Sequence, residues 1–259
     1  MPRWDLKARL AAGDTTIGSW LNFSDPLLAE MMARAGFDWL VVDMEHGTAS
    51  HGDLVRIIQV LDLAGVPALV RVGANDPYLI KRAMDAGACG VIVPMIISAA
   101  EAIAARDALY YPPKGRRGVG LTRVHDFGMD FDAYRVQAQQ NSLLIVQIEH
   151  VKAVERLSEI LDVDDVDGFI VGPYDMSGSI GKPGELDDPK VVALLDKVTD
   201  IMTRQPKPGG VHIVHSDRQA LKMRLEQGYR FIAYGTEMVF LAEKLQDEMG
   251  FIRSLKELR

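Results

Sequence analysis

The sequence contains a single cysteine, Cys89, among 259 residues. One cysteine cannot form an internal disulfide. Cys89 lies in the apolar segment GACGVIVP, where an inert buried thiol is far more common than a catalytic one. The sequence therefore predicts neither a disulfide framework nor cysteine chemistry.

Long apolar stretches are also missing. No apolar run in the sequence approaches the ~18 residues that a membrane-spanning helix needs. The N-terminal segment MPRWDLKARLAAGD contains acidic residues and has no apolar centre, which is unlike a secretory signal. We therefore expect a cytoplasmic protein that does not bind a membrane.

Positive charge is in short supply, since 29 lysines and arginines face 36 acidic residues and leave a formal net charge of −7. Proteins that bind nucleic acids or membrane surfaces need clustered positive charge, so both classes of partner are disfavoured. Anionic small molecules remain possible ligands, because a few local arginines can bind them inside a net-negative protein.

The chain alternates short apolar runs with longer amphipathic segments. Apolar runs of this length fit strands that are buried on both faces, as in a parallel sheet. Several of the amphipathic segments begin with Asp or Ser and end with Gly, as helices often do. The eight strand-like runs cover residues 15–21, 39–44, 67–72, 90–95, 143–149, 168–173, 210–215 and 231–236.

Eight such units in 259 residues predict an α/β fold, a (β/α)8 TIM barrel in which residues 1–259 form a single domain. An open doubly wound sheet is the main rival, although no G-x-G-x-x-G segment follows the first strand. The connection 111–141 predicts an ordered loop followed by a short helix at about 130–140, and a second loop covers 175–189. Helices are expected over 25–36, 51–65, 76–87, 151–163 and, at the C-terminus, 237–259.

Polar and charged side chains gather where the predicted strands end. The carboxyl ends of barrel strands converge on one mouth, where active sites are built. The pattern therefore predicts one pocket surrounded by these side chains. They are Glu45, His46, Arg71, Gln147, Glu149 and Asp175.

Glu149 and Asp175 follow neighbouring strands in this pattern. A hard divalent cation such as Mg²⁺ commonly takes one or two protein carboxylates, with water and substrate oxygens as its other ligands. Each carboxylate could instead cap a helix or pair with a surface lysine. Glu149 ends an apolar run, where an unpaired charge is costly, and this favours a metal or an ion pair.

The other candidates allow more than one role. His46 suits a general base, a metal ligand or a structural hydrogen-bonding group. Arg71 lies in a nearly apolar strand and needs an anion, which either a structural carboxylate or the substrate would supply. Asp85 lies near the end of a predicted helix, where a surface or capping role is usual.

Three weaker features complete the set of candidates. In Gly172-Pro173-Tyr174-Asp175, the backbone N–H groups after the proline could bind a carboxylate. Arg116, in the segment PPKGRRGVG, could contribute to an anion site over the pocket or belong to a solvated loop. His212 lines the pocket if its side chain points towards the mouth.

At this point the motifs resemble those of the HpcH/HpaI aldolases, over about residues 5 to 245. They occur in the order and spacing of that family, and together they are highly specific. The motifs are VVDMEHG (41–47), VRVGANDPYLIKRAMDAGACGVIVPM (70–95), YPPKGRRGVG (111–120), VQIEHVKAV (146–154) and VDGFIVGPYDMSGSIG (166–181).

The resemblance implies a class II pyruvate aldolase that uses a divalent metal ion, namely Mg²⁺, Mn²⁺ or Co²⁺. Such an enzyme cleaves a 4-hydroxy-2-oxo acid to pyruvate, or hydroxypyruvate, and an aldehyde through an enolate. It also implies a homo-hexamer whose C-terminal helix packs on a neighbouring subunit.

The resemblance further assigns roles to the candidate residues. Glu149 and Asp175 would bind the metal. His46 would act as a base held by Asp85 in a dyad, and Arg71 would stabilise the enolate. The residues expected to contact the substrate are Gln147, Gly172, Pro173, Tyr174, His212 and Arg116.

Three positions depart from the family pattern. Tyr174 and His150 stand where a small residue and Thr are common, and His212 stands where we expect an aliphatic residue. The departures leave the metal and base chemistry intact but bear on the choice of aldehyde. We predict that His212 favours a hydroxylated aldehyde.

Two other functions share part of this pattern. A CoA-ester lyase of the citryl-CoA or malyl-CoA type would share the barrel and the enolate chemistry, but the sequence has no extended basic motif for the CoA arm. A non-catalytic barrel that senses a keto acid would lack a base or a metal ligand, yet all of the candidates are present.

Overall fold

Eight parallel strands close into a barrel in the computed structural model, which describes residues 4–257. Each strand pairs with the next one along the chain, and the last pairs with the first. The predicted barrel is confirmed and the open doubly wound sheet is excluded. The strands are β1 (Thr16–Leu21), β2 (Leu40–Asp43), β3 (Ala68–Arg71), β4 (Gly90–Val93), β5 (Leu143–Ile148), β6 (Gly168–Val171), β7 (Gly209–Ile213) and β8 (Phe231–Thr236).

Helices surround the barrel, and every segment that was predicted to be helical contains one or two of them. Asp25 and Asp76 cap their helices through side-chain oxygens, and Gly65 and Gly87 end two helices in the left-handed region. The helices are α1 (Leu6–Ala11), α2 (Pro26–Arg34), α3 (His51–Ala64), α4 (Pro77–Ala86), α5 (Ala99–Leu109), α6 (Phe131–Asn141), α7 (Val151–Glu155), α8 (Leu157–Leu161), α9 (Pro173–Gly178), α10 (Pro189–Met202), α11 (Arg218–Glu226) and α12 (Glu237–Glu257).

Two expectations about helices need correction, and a third extends beyond the described residues. The helix expected over 151–163 is broken at Arg156, whose ψ of 14° leaves the helical range, so α7 and α8 are separate. The loop expected over 175–189 contains most of α9. The last two positions of the helix predicted over 237–259 lie outside the described residues.

The strand side chains divide into two cores, because successive residues of a strand point to opposite faces. Outward-facing residues such as Val42 and Val146 pack against the helices. Inward-facing residues such as Trp39, Ile145 and Phe231 fill the barrel interior, where the rings of Trp39 and Phe231 stack at 4.1 Å. Leu6 of α1 joins this interior cluster, so the N-terminal helix closes one end of the barrel.

The long connection 111–141 joins the end of α5 to the beginning of β5. In a (β/α)8 barrel, a link from helix to strand lies at the amino ends of the strands, opposite the mouth. It contains a short 3-10 helix (Arg123–Gly128) and α6. This connection therefore cannot cover the mouth of its own barrel.

No helix among residues 4–257 is both long enough and apolar enough to cross a membrane.

Candidate active site

The inward-facing positions change from apolar to polar towards the carboxyl ends of the strands. Ile145 and Leu69 belong to the apolar interior, while Gln147 and Arg71, two residues further along the same strands, face a cavity of about 210 Å³. Glu45, His46 and Glu149 are not in the lining of this cavity, but seven of the predicted site residues line it. They are Arg71, Gln147, Gly172, Pro173, Tyr174, Asp175 and His212.

Arg71 is held by Asp43 on the neighbouring strand. Its Nε and Nη2 atoms donate to the two carboxylate oxygens at 2.9 and 2.6 Å, and Asp43 is fully buried. Burial by itself would raise the pKa of Asp43, but the hydrogen bonds and charge of Arg71 hold that pKa below its ordinary value. Both groups are therefore ionised, and Arg71 presents a fixed positive charge to the cavity.

Asp43 also shapes the turn that follows β2. Its Oδ1 accepts the backbone N–H groups of Glu45 and His46 at 3.0 and 3.2 Å, and its Oδ2 accepts the amide of Asn22 at 3.0 Å. A Cβ atom at Gly47 would lie 2.1 Å from the carbonyl oxygen of Asp43, so only glycine fits there. Asp43 was not among the residues predicted from the sequence, although a carboxylate in an otherwise apolar strand was the signal.

Glu149 is a buried carboxylate whose pKa is raised. Its Oε1 accepts the backbone N–H of Met95 at 2.7 Å, and its Oε2 accepts the amide of Gln147. Burial, with a further contribution from the negative charges of Asp175 and Glu45, raises the pKa of Glu149 to about 7. A cation near these three carboxylates would relieve the cost of ionising Glu149.

Gly172 lets the backbone after β6 pass close to Glu149. A Cβ atom at this position would lie 2.8 Å from Oε2 of Glu149 and 3.3 Å from the amide nitrogen of Gln147. The amide oxygen of Gln147 is buried and has no hydrogen-bond partner among the described residues. Such an atom is a free oxygen acceptor beside the carboxylates.

The short helix α9 begins directly after Gly172, with Pro173 in its first turn. The first-turn N–H groups of a helix have no carbonyl partner within the helix, which leaves those of Tyr174 and Asp175 available to an anion. Asp175 lies at the exposed rim of the cavity. In residues 4–257, no group of three or more His, Cys, Asp or Glu side chains is arranged to hold a metal ion.

Glu45 is the acidic neighbour of both Arg71 and His46. Its Oε2 lies 3.3 Å from Nη1 of Arg71 and 4.0 Å from Nε2 of His46. Burial raises the pKa of Glu45, although the charges of Arg71 and His46 partly oppose this. The side chain of His46 is 65% exposed, so it lies at the rim of the site, where a substrate can reach it.

Asp85 does not meet His46 within the chain. It lies near the C-terminal end of α4, which runs back from the mouth to the amino ends of the strands, about 15 Å in ten residues. There it pairs with Arg117 at 2.5 Å. Arg117 is buried and lies 4.5 Å from the ring centre of Tyr111. The predicted dyad is therefore not formed inside one copy of the chain.

Arg116 does not lie over the pocket of its own chain, and the alternative left open for it, a solvated loop, is what the structure has. Its side chain is 86% exposed and its Nε lies 3.4 Å from Asp107 near the end of α5. That position is at the amino ends of the strands, because the connection 111–141 begins there. The charge pattern of this loop does not show which end of the barrel it occupies. The direction of the link, from a helix to a strand, does show it.

His212 points into the mouth, as the prediction required. Its ring stacks on Trp20 with centroids 4.6 Å apart, and the Arg71 guanidinium lies 5.3 Å from the ring centre of Trp20. Its Nε2 lies 3.2 Å from the carbonyl oxygen of Gly235. Burial and the nearby charge of Arg71 lower the pKa of His212 to about 4, so the ring is neutral at physiological pH.

Comparisons with known proteins identify relatives of this chain. A 2-dehydro-3,6-dideoxy-6-sulfogluconate aldolase from Pseudomonas putida is 37% identical over 89% of this chain and 90% of its own length. A hydroxypyruvate/pyruvate aldolase from Roseovarius nubinhibens is 35% identical over 96% of both chains. The crystal structure of an HpcH/HpaI aldolase/citrate lyase family protein from Burkholderia cenocepacia superimposes with a TM-score of 0.91 at 31% identity, covering 96% of this chain and 99% of that one.

The family model of the HpcH/HpaI aldolases and citrate lyases matches residues 16–243, which include every strand of the barrel. The resemblance seen in the sequence is thus confirmed. The relatives are aldolases, which are carbon–carbon lyases. The chain belongs to the HpcH/HpaI aldolase/citrate lyase family.

Proposed function

We propose that the protein is a class II pyruvate aldolase, which cleaves a 4-hydroxy-2-oxo acid to pyruvate, or hydroxypyruvate, and an aldehyde. One observation carries the proposal: a fixed cation, Arg71, faces the same small cavity as the Asp175 carboxylate. Glu149 is hydrogen-bonded to Gln147 in the lining of that cavity, and neither Glu149 nor Asp175 has an ion-pair partner among the described residues. An enolate needs positive charge at its oxygen, and that is what this arrangement supplies.

The carboxylates of Glu149 and Asp175 would hold a divalent metal ion. Two carboxylates are enough for Mg²⁺, Mn²⁺ or Co²⁺ when water and substrate supply the other ligands. The raised pKa of Glu149 and the unpartnered amide oxygen of Gln147 both fit a cation beside them. When bound, the ion would act as a Lewis acid that polarises the keto group of the substrate.

The residues of the chain would share the remaining work. The N–H groups of Tyr174 and Asp175 bind the carboxylate of the keto acid. His46 takes the proton from the C4 hydroxyl, the C3–C4 bond breaks, and its electron pair moves into the keto acid as the enolate. Arg71 faces the enolate oxygen. A proton from solvent adds at C3 and completes the methyl group of pyruvate, and His46 returns its proton to solvent.

The CoA-ester lyase has less support. The cavity of about 210 Å³ suits a small organic acid more than a coenzyme A arm. Among the described residues that line it, Arg71 is the one basic side chain besides His212, and Asp43 already holds it. Phosphates of coenzyme A would find no free cation in that lining.

The most direct test of function is deuterium exchange at the methyl group of pyruvate, followed by proton NMR in D₂O with Mg²⁺. We expect exchange that stops when EDTA removes the metal. Glu149→Gln should slow the exchange by about 100-fold, because a cation ligand is lost. Glu159→Gln, an exposed glutamate on α8, is the matched control and should leave the rate unchanged. Exchange that persists fully in EDTA would contradict the proposal.

The affinity for Mn²⁺ should depend on pH, because a proton on Glu149 competes with the cation. With the pKa of Glu149 at about 7, affinity should rise by about tenfold per pH unit between pH 5 and 7 and level off above. Electron paramagnetic resonance of free Mn²⁺ measures this without any turnover. An affinity that does not change between pH 5 and 8 would remove Glu149 from the metal site.

The same shift predicts how the metal-free protein responds to pH. The folded-state pKa of Glu149 is raised above its ordinary value of 4.5, so its protonated form favours the folded state. That stabilisation is fully present below pH 4.5 and is lost as the pH rises through about 7. A bound cation should restore stability at the higher pH.

We further propose a cytoplasmic homo-hexamer in which α12 packs on a neighbouring subunit. Along α12, apolar side chains stand exposed on the surface of the chain: Met238, Leu241, Leu245, Ile252 and Leu255. Analytical ultracentrifugation of this 28.6 kDa chain tests the assembly. Asp85 and His46 lie at different ends of one barrel, so we propose that Asp85 serves His46 of a neighbouring copy of the chain.

Co-expression of two inactive variants tests that role of Asp85. His46→Ala and Asp85→Asn should each lose activity, and mixed assemblies should regain about a quarter of it, because sites form with both residues intact. Asp85→Asn also removes the carboxylate that pairs with the buried Arg117, which lowers the stability of the fold. Circular dichroism must therefore show that Asp85→Asn is folded. Mixed assemblies with no regained activity would leave Asp85 with a structural role.

A further inference from the structure

The imidazole of His212 has a defined proton arrangement. A carbonyl oxygen can only accept a hydrogen bond, so Nε2 must donate to the carbonyl of Gly235 at 3.2 Å. The same carbonyl accepts the hydroxyl of Ser19 at 3.1 Å. In a neutral ring with a proton on Nε2, Nδ1 carries a lone pair and can only accept.

The acceptor position of Gly235 is itself fixed. Its φ of 65° is in the left-handed region, and a Cβ atom would lie 2.1 Å from the ring of Phe240. The stack on Trp20 fixes the plane of the imidazole from the other side. His212 is thus held by one hydrogen bond and one ring contact, and neither uses Nδ1.

Nδ1 is the part of His212 that is left for a ligand. No described residue bonds to it, and it is not among the fully buried polar atoms that lack a partner, so solvent or a ligand can reach it. The ring lines the same cavity as Arg71 and Gln147. The neighbouring wall of the cavity is apolar, formed by Val214, Met238 and others.

We propose that Nδ1 of His212 accepts a hydrogen bond from a hydroxyl group of the aldehyde, so that the enzyme selects neutral hydroxyaldehydes. This rests on the proposed aldolase function and deepens it. A cationic imidazole would instead attract an aldehyde that carries a carboxylate. The burial of the ring and the charge of Arg71 oppose that cationic form.

Glycolaldehyde and propanal test the proposal because they have almost the same shape, and the hydroxyl group of glycolaldehyde stands where propanal has a methyl group. The preference is the ratio of kcat/KM for glycolaldehyde to that for propanal, with pyruvate and Mg²⁺ present. His212→Phe keeps the ring against Trp20 and removes Nδ1, so it should lower the preference by about tenfold. His212→Asn, which offers an amide oxygen as acceptor, should retain part of it.

Val214→Ala is the matched control, since it changes the same cavity without touching an acceptor. It should alter kcat/KM for both aldehydes in parallel. An unchanged preference in His212→Phe would overturn the inference. A wild-type preference for succinic semialdehyde that disappears in His212→Phe would also overturn it, because it would show a cationic ring.

Two further measurements keep the outcome clear. Pyruvate methyl exchange in each variant needs no aldehyde, so its persistence separates a failure of this inference from a failure of the aldolase proposal. If the substituted chains do not fold, wild-type protein labelled with ¹⁵N-histidine replaces them. The Nδ1 resonance of His212 should move on addition of glycolaldehyde and not of propanal, and no movement with glycolaldehyde would overturn the inference.

Discussion

The buried ion pair between Asp43 and Arg71 is the interaction on which the rest of the site depends. A buried arginine without an anion is very costly. Glu45 also lies near Arg71, but it does not replace the bidentate contact that Asp43 makes. Asp43 also accepts from the turn that carries Glu45 and His46. One carboxylate therefore fixes both the cation that would stabilise an enolate and the segment that carries the proposed base.

The barrel gives this pair its environment by a simple alternation of residues. Two residues before Arg71 and Gln147 on their strands stand Leu69 and Ile145, which fill the apolar interior below. That apolar layer keeps water away from the pair from one side and leaves the mouth as the approach.

Negative charge accumulates around the mouth. Burial raises the pKa of Glu149, and the negative charges of Asp175 and Glu45 raise it further. A bound cation would offset this negative charge. The site thus holds one fixed positive charge, on Arg71, which Asp43 already pairs with, and three further carboxylates, those of Glu45, Glu149 and Asp175.

The strands could be predicted from the sequence within one or two residues, because continuous apolar runs between Gly- and Asp-bounded helices are typical of buried parallel strands. The strand ends that carry polar residues could be predicted in the same way. The two errors have different causes. The local charge pattern placed Arg116 over the mouth, although a link that runs from a helix to a strand lies at the amino ends of the strands. The His46–Asp85 dyad came from the family resemblance, while the helix-end position expected from the sequence alone is the observed one. The sequence allowed either a structural carboxylate or the substrate as the anion for Arg71. In the structure that anion is the carboxylate of Asp43. The tautomer of His212 needed the position of the Gly235 carbonyl, which lies 23 residues away along the chain.

Anomalous X-ray diffraction from crystals soaked with Mn²⁺ and pyruvate tests the central claim most directly. We expect one strong peak within bonding distance of the Glu149 and Asp175 carboxylates, and the keto oxygen of pyruvate within hydrogen-bond distance of the Arg71 guanidinium. The Asp43–Arg71 pair should remain intact in that complex, because Asp43 positions the Arg71 guanidinium and the substrate does not displace it. A peak elsewhere, or pyruvate bound away from Arg71, would contradict the proposed site.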